Sequence, residues 1–93
     1  MDFANIKLII WDLDETLWEG TLSEGAVYLP EKNVSLIKDL TDFGIINSIC
    51  SKNDTDAVTR QMTEFGVWDY FVFPSISWEN KGPRIQAQID RMA

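Results

Sequence analysis

Two aspartates separated by a single residue follow an apolar run near the start of the chain. The run covers residues 7–11, and Asp12 and Asp14 come directly after it. Carboxylates this close repel each other, and burial makes each charge costlier still. An oxygen-seeking divalent cation such as Mg²⁺ would relieve the repulsion, and so would a proton kept on one of the carboxyls. A phosphoryl-transfer site can use both, with one carboxylate as nucleophile and the other as general acid.

A serine and a lysine stand at comparable places further along the chain. Ser51 follows the apolar run 45–50, and Lys81 precedes Gly82 and Pro83. A hydroxyl can hold a phosphoryl oxygen, and an ammonium can neutralise charge on both the phosphate and the nucleophile. Each signal also has a plain structural explanation, since aspartates make Asx turns, a serine caps a helix and a lysine is solvated. Their occurrence at three successive predicted strand ends favours one common site.

The elements that must position these residues alternate between strands and helices. Continuous apolar runs predict strands at 7–11, 45–50 and 70–73, and the Gly- and Ser-containing stretch 17–30 predicts a loop or small hairpin. This order predicts an α/β fold with a mainly parallel sheet, in which ligands bind beyond the carboxyl ends of the strands. The predicted helices cover 31–43, a segment capped by Asn53 or Asp54 and ended by Gly66, and a segment from Gly82 with Ile85, Ile89 and Met92 on one face.

Composition limits the classes of protein that this chain can represent. Its 93 residues carry 15 acids and 8 bases, a net charge of −7, which argues against nucleic-acid and anionic-membrane partners. Histidine is absent, so His-based triads and His metal sites are excluded. A single cysteine and an N-terminus without the features of a signal peptide predict a cytoplasmic protein.

The motifs resemble those of the haloacid dehalogenase (HAD) superfamily. The stretch "IIWDLDETLW" is similar to its first motif, Ser51 to the second and Lys81 to the third. The stretches "CSKND" and "SWENKGPRI" look most like subfamily IIIC, and within it the FkbH-like domains. The resemblance implies a Rossmannoid three-layer sandwich that has no cap domain.

The resemblance also implies roles for individual residues. Asp12 would be the nucleophile that forms an aspartyl-phosphate, Asp14 the general acid and base, and Thr16 a residue that helps to orient the acid. Mg²⁺ would be held by Asp12 and by Asp14, the latter through its backbone carbonyl. The substrate would be a phosphorylated small molecule or a carrier-linked group, because FkbH-like relatives load a glyceryl unit from a phosphorylated donor onto a carrier protein. The phosphate-binding residues implied are Ser51, Lys52, Asn53 and Lys81.

One departure from the family pattern concerns the fourth motif, a further strand that ends in paired acids. The chain ends at Ala93 without it, so we expect residues 1–93 to form a single, C-terminally truncated HAD-like domain. The strand at 7–11 would then be an exposed apolar edge, which predicts self-association or completion by another chain. The alternative function is therefore a catalytically silent fragment that serves as an interaction or structural module.

Overall fold

The fold is built on a parallel sheet flanked by helices. The computed structural model describes residues 7–92. All strand pairs are parallel, and the strand order is β1-β2-β3. The α/β class with a parallel sheet, predicted from the alternation of apolar runs, is therefore confirmed. The elements in chain order are β1 (Leu8–Trp11), α1 (Glu31–Asp42), β2 (Ile46–Ser51), α2 (Thr55–Glu64), β3 (Ser75–Ile76) and α3 (Lys81–Met92), with 3₁₀ turns at Leu22–Glu24 and Trp68–Tyr70.

Helices lie on both faces of the sheet, as two neighbouring residues of β2 show. Successive side chains of a strand point to opposite faces. Asn47 donates a hydrogen bond of 3.2 Å to the carbonyl of Ile37 in α1. Ser48 accepts one of 2.9 Å from Gln88 in α3. The sheet is therefore the middle layer of three.

The main core lies on the α1 side of the sheet. Apolar residues of β2, α1 and α2 meet there, and the loop that follows β1 adds side chains that are almost completely inaccessible to solvent. Their burial supplies most of the driving force that holds this loop against the sheet. The buried members of this cluster are Leu13, Leu17, Trp18, Leu29, Ile37, Ile49, Val58, Met62, Val67 and Phe71.

The first two helices end where the glycines predict. Gly44 and Gly66 follow α1 and α2 with φ angles of +81° and +75°, a conformation in which a Cβ would be strained. At the start of α2 the carboxylate of Asp54 accepts a 2.9 Å hydrogen bond from the backbone N–H of Ala57. Asp54, rather than Asn53, is therefore the N-cap, and this leaves Asn53 available for another contact.

The third strand differs from its prediction. Residues 70–73 were expected to form it, but the paired residues are Ser75–Ile76, which lie beside Cys50 and Ser51. Phe71 makes only an isolated bridge to Asn47. Phe73 then takes a positive φ of 54° and Pro74 follows without an N–H, so that extended pairing is interrupted at this point.

The face of α3 that packs on the sheet is not simply its apolar face. Gln88 is only 4% exposed, whereas Ile89 is 46% exposed. The reason is a polar partner on the sheet, because the Gln88 amide nitrogen donates to Ser48 Oγ and also, at 2.6 Å, to the carbonyl of Ile49. The side chain of Met92, predicted on the same face, lies outside the described residues.

The segment between β1 and α1 is compact and forms no cap domain. Glu19 and Tyr28 exchange two backbone hydrogen bonds, of 2.7 and 3.0 Å, and the 3₁₀ turn lies between them. The predicted small hairpin is thus present. Among residues 7–92, no helix has the length and apolar character needed to cross a membrane.

Candidate functional site

The candidate site lies at the carboxyl edge of the sheet. β1 ends at Trp11 and β2 ends at Ser51, so that Asp12 and the segment 52–54 both emerge at this edge. The register pairs Trp11 with Ile49 and Ser51 with Ile76. Because the strands are parallel, the residues after each strand converge at the same side of the molecule.

Asp12 is paired with a cation that comes from a different element. The Nζ atom of Lys81, the first residue of α3, lies 2.9 Å from Asp12 Oδ1. The same oxygen accepts a 2.9 Å hydrogen bond from the backbone N–H of Leu13. The Asp12 side chain is 47% exposed and that of Lys81 is 32% exposed. A carboxylate so placed can be reached by a ligand, with a positive charge already beside it.

Asp14 has a different environment, because its carboxylate accepts three N–H groups. Its Oδ1 atom accepts from the indole Nε1 of Trp18 and from the backbone N–H of Leu22, both at 2.9 Å. Its Oδ2 atom accepts from Nδ2 of Asn53 at 3.0 Å. Trp18 and Asn53 are 1% and 2% exposed. The donors therefore hold the Asp14 side chain in one orientation, whereas Asp12 faces the solvent.

Of the predicted phosphate-binding residues, some are brought together and others are not. Ser51 is buried, and its Oγ lies 3.5 Å from Nδ2 of Asn53, which joins it to Asp14. Lys81 contacts Asp12. Lys52 is exposed.

Thr16, which the resemblance implies helps to orient Asp14, is also exposed. In the described structure its hydroxyl makes no hydrogen bond to Asp14. The Asp14 carboxylate accepts from Trp18, Leu22 and Asn53.

The chemistry of the donor set fits a Mg²⁺ ion that is bound partly by the protein and partly by substrate and water. Within residues 7–92 no cluster of three or more acidic, histidine or cysteine side chains could hold a metal. Magnesium often takes only one or two carboxylates and completes its six ligands with water and phosphate oxygens. Asp12 offers an exposed carboxylate for this purpose. The Asp14 carboxylate accepts three N–H donors, and its backbone carbonyl is the group that the family resemblance implies for the metal.

Two residues make contacts at the site that were not predicted from the sequence. Trp18 is buried and donates to Asp14. Its position four residues after Asp14 is the one feature of the sequence that could have indicated this contact. Arg84 lies one turn into α3, and its guanidinium donates to the backbone carbonyls of Ser51, which ends β2, and Ser75, which begins β3. No sequence pattern separates such an arginine from a solvated one.

Comparison with known proteins shows the fold. No family model and no curated protein matches the chain. The N-terminal part of a Bacteroides fragilis protein, which contains a phosphatase domain and was solved in complex with Mg, is similar with a TM-score of 0.79 and 23% identity. An uncharacterized protein from Listeria monocytogenes serotype 4b is similar with a TM-score of 0.74 and 22% identity.

The matched region is nearly all of this chain but only a part of each of the two other proteins. The similarity covers 96% and 94% of this chain, but only 28% of the Bacteroides chain and 61% of the Listeria chain. The chain thus spans less than two thirds of either protein. The arrangement of parallel strands and helices is shared with the Bacteroides structure, and the predicted α/β fold class is confirmed.

Proposed function

We propose that this chain catalyses Mg²⁺-dependent phosphoryl transfer or phosphate ester hydrolysis through an aspartyl-phosphate on Asp12. The observation that carries the proposal is the contrast between the two carboxylates. Asp12 is exposed beside the ammonium of Lys81, whereas Asp14 is held by three N–H donors. Similarity in fold to a phosphatase domain solved with Mg supports the same reaction class.

In the first step, an oxygen of Asp12 attacks the phosphorus of the ester. The new P–O bond forms as the bond to the leaving oxygen breaks, and the electron pair of the broken bond stays on that oxygen. The ammonium of Lys81 has three N–H donors and uses one on Asp12. The others can bind oxygens of the transferring phosphoryl group, where negative charge must be stabilised.

Asp14 is the proton donor and acceptor of the reaction. Its Oδ2 atom accepts one hydrogen bond, from Asn53, and an ionised carboxylate oxygen has about two acceptor positions. The second position can carry the proton that passes to the leaving oxygen. Asp14 then takes a proton from the water that attacks the aspartyl-phosphate, and inorganic phosphate and free Asp12 result. For transfer, an acceptor hydroxyl takes the place of this water.

Mg²⁺ would be held by the Asp12 carboxylate and the backbone carbonyl of Asp14. When bound, the ion supplies positive charge that offsets the repulsion between an anionic nucleophile and an anionic phosphate. Lys81 provides the same kind of charge from the protein. The charge of Lys81 favours attack by Asp12 on an anionic phosphate ester, and a bound Mg²⁺ would add to this effect.

The substrate is a phosphate exposed on a small molecule or on a larger carrier. Within residues 7–92 only a short hairpin and a 3₁₀ turn separate β1 from α1, so that this connection contains no inserted domain that could cover Asp12. The FkbH-like assignment, with loading of a glyceryl unit in a larger protein, rests on the motifs "CSKND" and "SWENKGPRI". A phosphorylated three-carbon donor is therefore the first specific substrate to assay.

The test uses hydrolysis of p-nitrophenyl phosphate by the 93-residue chain with and without Mg²⁺. We expect turnover that needs Mg²⁺ and is lost in Asp12→Asn, a substitution that keeps the shape of the side chain. Acid quenching during turnover followed by peptide mass spectrometry should locate a phosphoryl group on Asp12. Asp56→Asn is the matched control, because Asp56 is exposed in the first turn of α2.

Two results would contradict the proposal. Asp12→Asn with unchanged turnover would exclude Asp12 as the nucleophile. A folded wild-type chain that neither turns over the ester nor acquires a phosphoryl group would favour the alternative, a silent structural or interaction module. Circular dichroism of both proteins separates these results from a loss of folding.

A further inference from the structure

We infer that Arg84 is a positioning residue that fixes Ser51 and Lys81 relative to each other. The inference rests on the proposed function, in which these two residues bind the phosphoryl group. Arg84 itself makes no hydrogen bond or ion pair with Asp12 or Asp14 in the described structure. It acts through the backbone of the segments that carry the phosphate-binding side chains.

The guanidinium of Arg84 is surrounded by backbone carbonyl oxygens. Its Nη2 atom donates to the carbonyls of Glu79 at 2.8 Å and Ser77 at 3.1 Å. Its Nη1 atom donates to the carbonyl of Ser75 at 3.0 Å, and the Oγ of the same serine lies at 3.1 Å. Both nitrogens also lie 3.3 Å from the carbonyl of Ser51. The Nε atom completes the set at 3.3 Å from the carbonyl of Asn80.

These carbonyls belong to the two segments that end in the candidate phosphate-binding residues. Ser51 is the last residue of β2, and its carbonyl also accepts a 3.1 Å hydrogen bond from the N–H of Ser77. Residues 77–80 connect β3 to Lys81. Arg84 thus links the end of β2 to the carbonyls of residues 77, 79 and 80 in this connection. A shift of residues 77–80 would carry Lys81 away from Asp12.

The chemistry of the cluster requires an arginine. A guanidinium presents five N–H donors in a planar fork, whereas a lysine ammonium is a compact group with three. Among residues 7–92 the one ion pair is that of Lys81 with Asp12, so that carbonyl dipoles, and no carboxylate, balance the charge of Arg84. Replacement by lysine keeps the charge but cannot span carbonyls from Ser51 to Glu79.

The first test measures the position of Lys81 without use of activity. Lysines of the folded chain are acetylated with a limiting amount of acetic anhydride, and the ratio of Lys81 to Lys38 labelling is measured by mass spectrometry. Lys38 is exposed in α1 and serves as the internal reference. We expect a low ratio in wild type, a severalfold higher ratio in both Arg84→Met and Arg84→Lys, and a similar rise in Asp12→Asn, which removes the charge of the partner. Arg60→Met, at an exposed position of α2, should leave the ratio unchanged.

The second test is a double-mutant cycle on hydrolysis of p-nitrophenyl phosphate. Arg84→Met should lower kcat/KM about tenfold or more in wild type, since small misplacements of catalytic groups have effects of this size. In the background of Lys81→Met it should have a clearly smaller effect, because one of the two groups that it positions is already absent. A merely structural role would lower activity equally in both backgrounds.

The outcomes separate this inference from the proposed function. Unchanged Lys81 labelling in both Arg84 variants, with native circular dichroism, would overturn the role of Arg84. If Arg84→Met fails to fold, Arg84→Lys and the milder Ser75→Ala, which removes one acceptor of the cluster, provide the same comparison. A wild-type chain without turnover, but with the expected change in labelling, would overturn the proposed reaction and leave the positioning of Lys81 by Arg84 intact.

Discussion

Asn53 donates a 3.0 Å hydrogen bond from Nδ2 to Oδ2 of Asp14, across 39 residues of sequence. The bond links the loop after β1 to the start of α2. Asn53 is 2% exposed, so that water competes little for this contact. The candidate acid of the site is therefore oriented by a residue that follows a different strand.

Removal of the Asn53 amide should affect both activity and stability. We expect Asn53→Ala to lower kcat about tenfold, because Asp14 loses one of the donors that orient it. The free energy of unfolding should fall by about 1–2 kcal/mol, the cost typical of a lost buried hydrogen bond. Asn53→Asp should be worse in both respects, since it places a second carboxylate against Asp14. Urea unfolding and p-nitrophenyl phosphate kinetics measure the two effects.

Asp54→Ala is the matched control for these variants. It removes the N-cap bond to Ala57 and should lower stability by about 1 kcal/mol while kcat is retained. Equal kinetic losses in Asn53→Ala and Asp54→Ala would mean that the contact with Asp14 has no particular importance.

The ion pair of Lys81 with Asp12 should matter for catalysis far more than for stability. Both side chains are partly exposed, so that Lys81→Met should change the free energy of unfolding by less than about 1 kcal/mol. It should lower kcat/KM about 100-fold or more, because charge on the transferring group loses its protein partner. Lys38→Met, in which an exposed lysine of α1 is replaced, gives the comparison. A similar loss in both variants would point to a diffuse electrostatic effect instead of a specific contact.

Trp18→Phe tests the indole N–H as a donor to Asp14. The substitution keeps an aromatic ring beside Phe65, whose ring centroid is 6.1 Å from that of Trp18, but removes the 2.9 Å bond to Asp14. Loss of this bond and a small cavity should together cost about 2 kcal/mol of unfolding free energy, and kcat should fall in the folded protein. Trp78→Phe is the control, because Trp78 is 64% exposed and should tolerate the change. Full activity in Trp18→Phe would show that the remaining donors suffice.

The outer edge of β1 should make the 93-residue chain self-associate. In the described sheet β1 is outermost and pairs with β2 alone. An unpaired, apolar edge strand is a template for another chain. Sedimentation velocity should therefore show a coefficient that rises with concentration, and Ile10→Lys, which places a charge on this strand, should reduce the rise. A wild-type coefficient that is independent of concentration would refute the prediction, provided that circular dichroism shows a folded protein.

The sequence by itself determined the order of elements and most of their bounds. Strands β1 and β2 and helices α1 and α2 lie within a residue or two of their predicted limits, because apolar periodicity and glycines at helix ends are local signals. Parallel strands place the residues after them at one edge, so that the convergence of Asp12, Ser51 and Lys81 on the carboxyl side of the sheet follows from topology. Chain order and local conformation were enough to predict the elements and the edge of the sheet at which the candidate site lies.

Only the tertiary structure decided which groups those residues contact. The position of the third strand is one example. Phe71 forms only an isolated bridge to Asn47, and Ser75–Ile76 pair with β2 after the turn at Phe73. Gln88 is buried in place of Ile89 because Ser48 and a strand carbonyl offer it polar partners. The three donors on Asp14 and the carbonyl cluster around Arg84 join segments that are distant in sequence. Such contacts leave no periodic pattern, since their energies depend on distance and orientation in the folded chain.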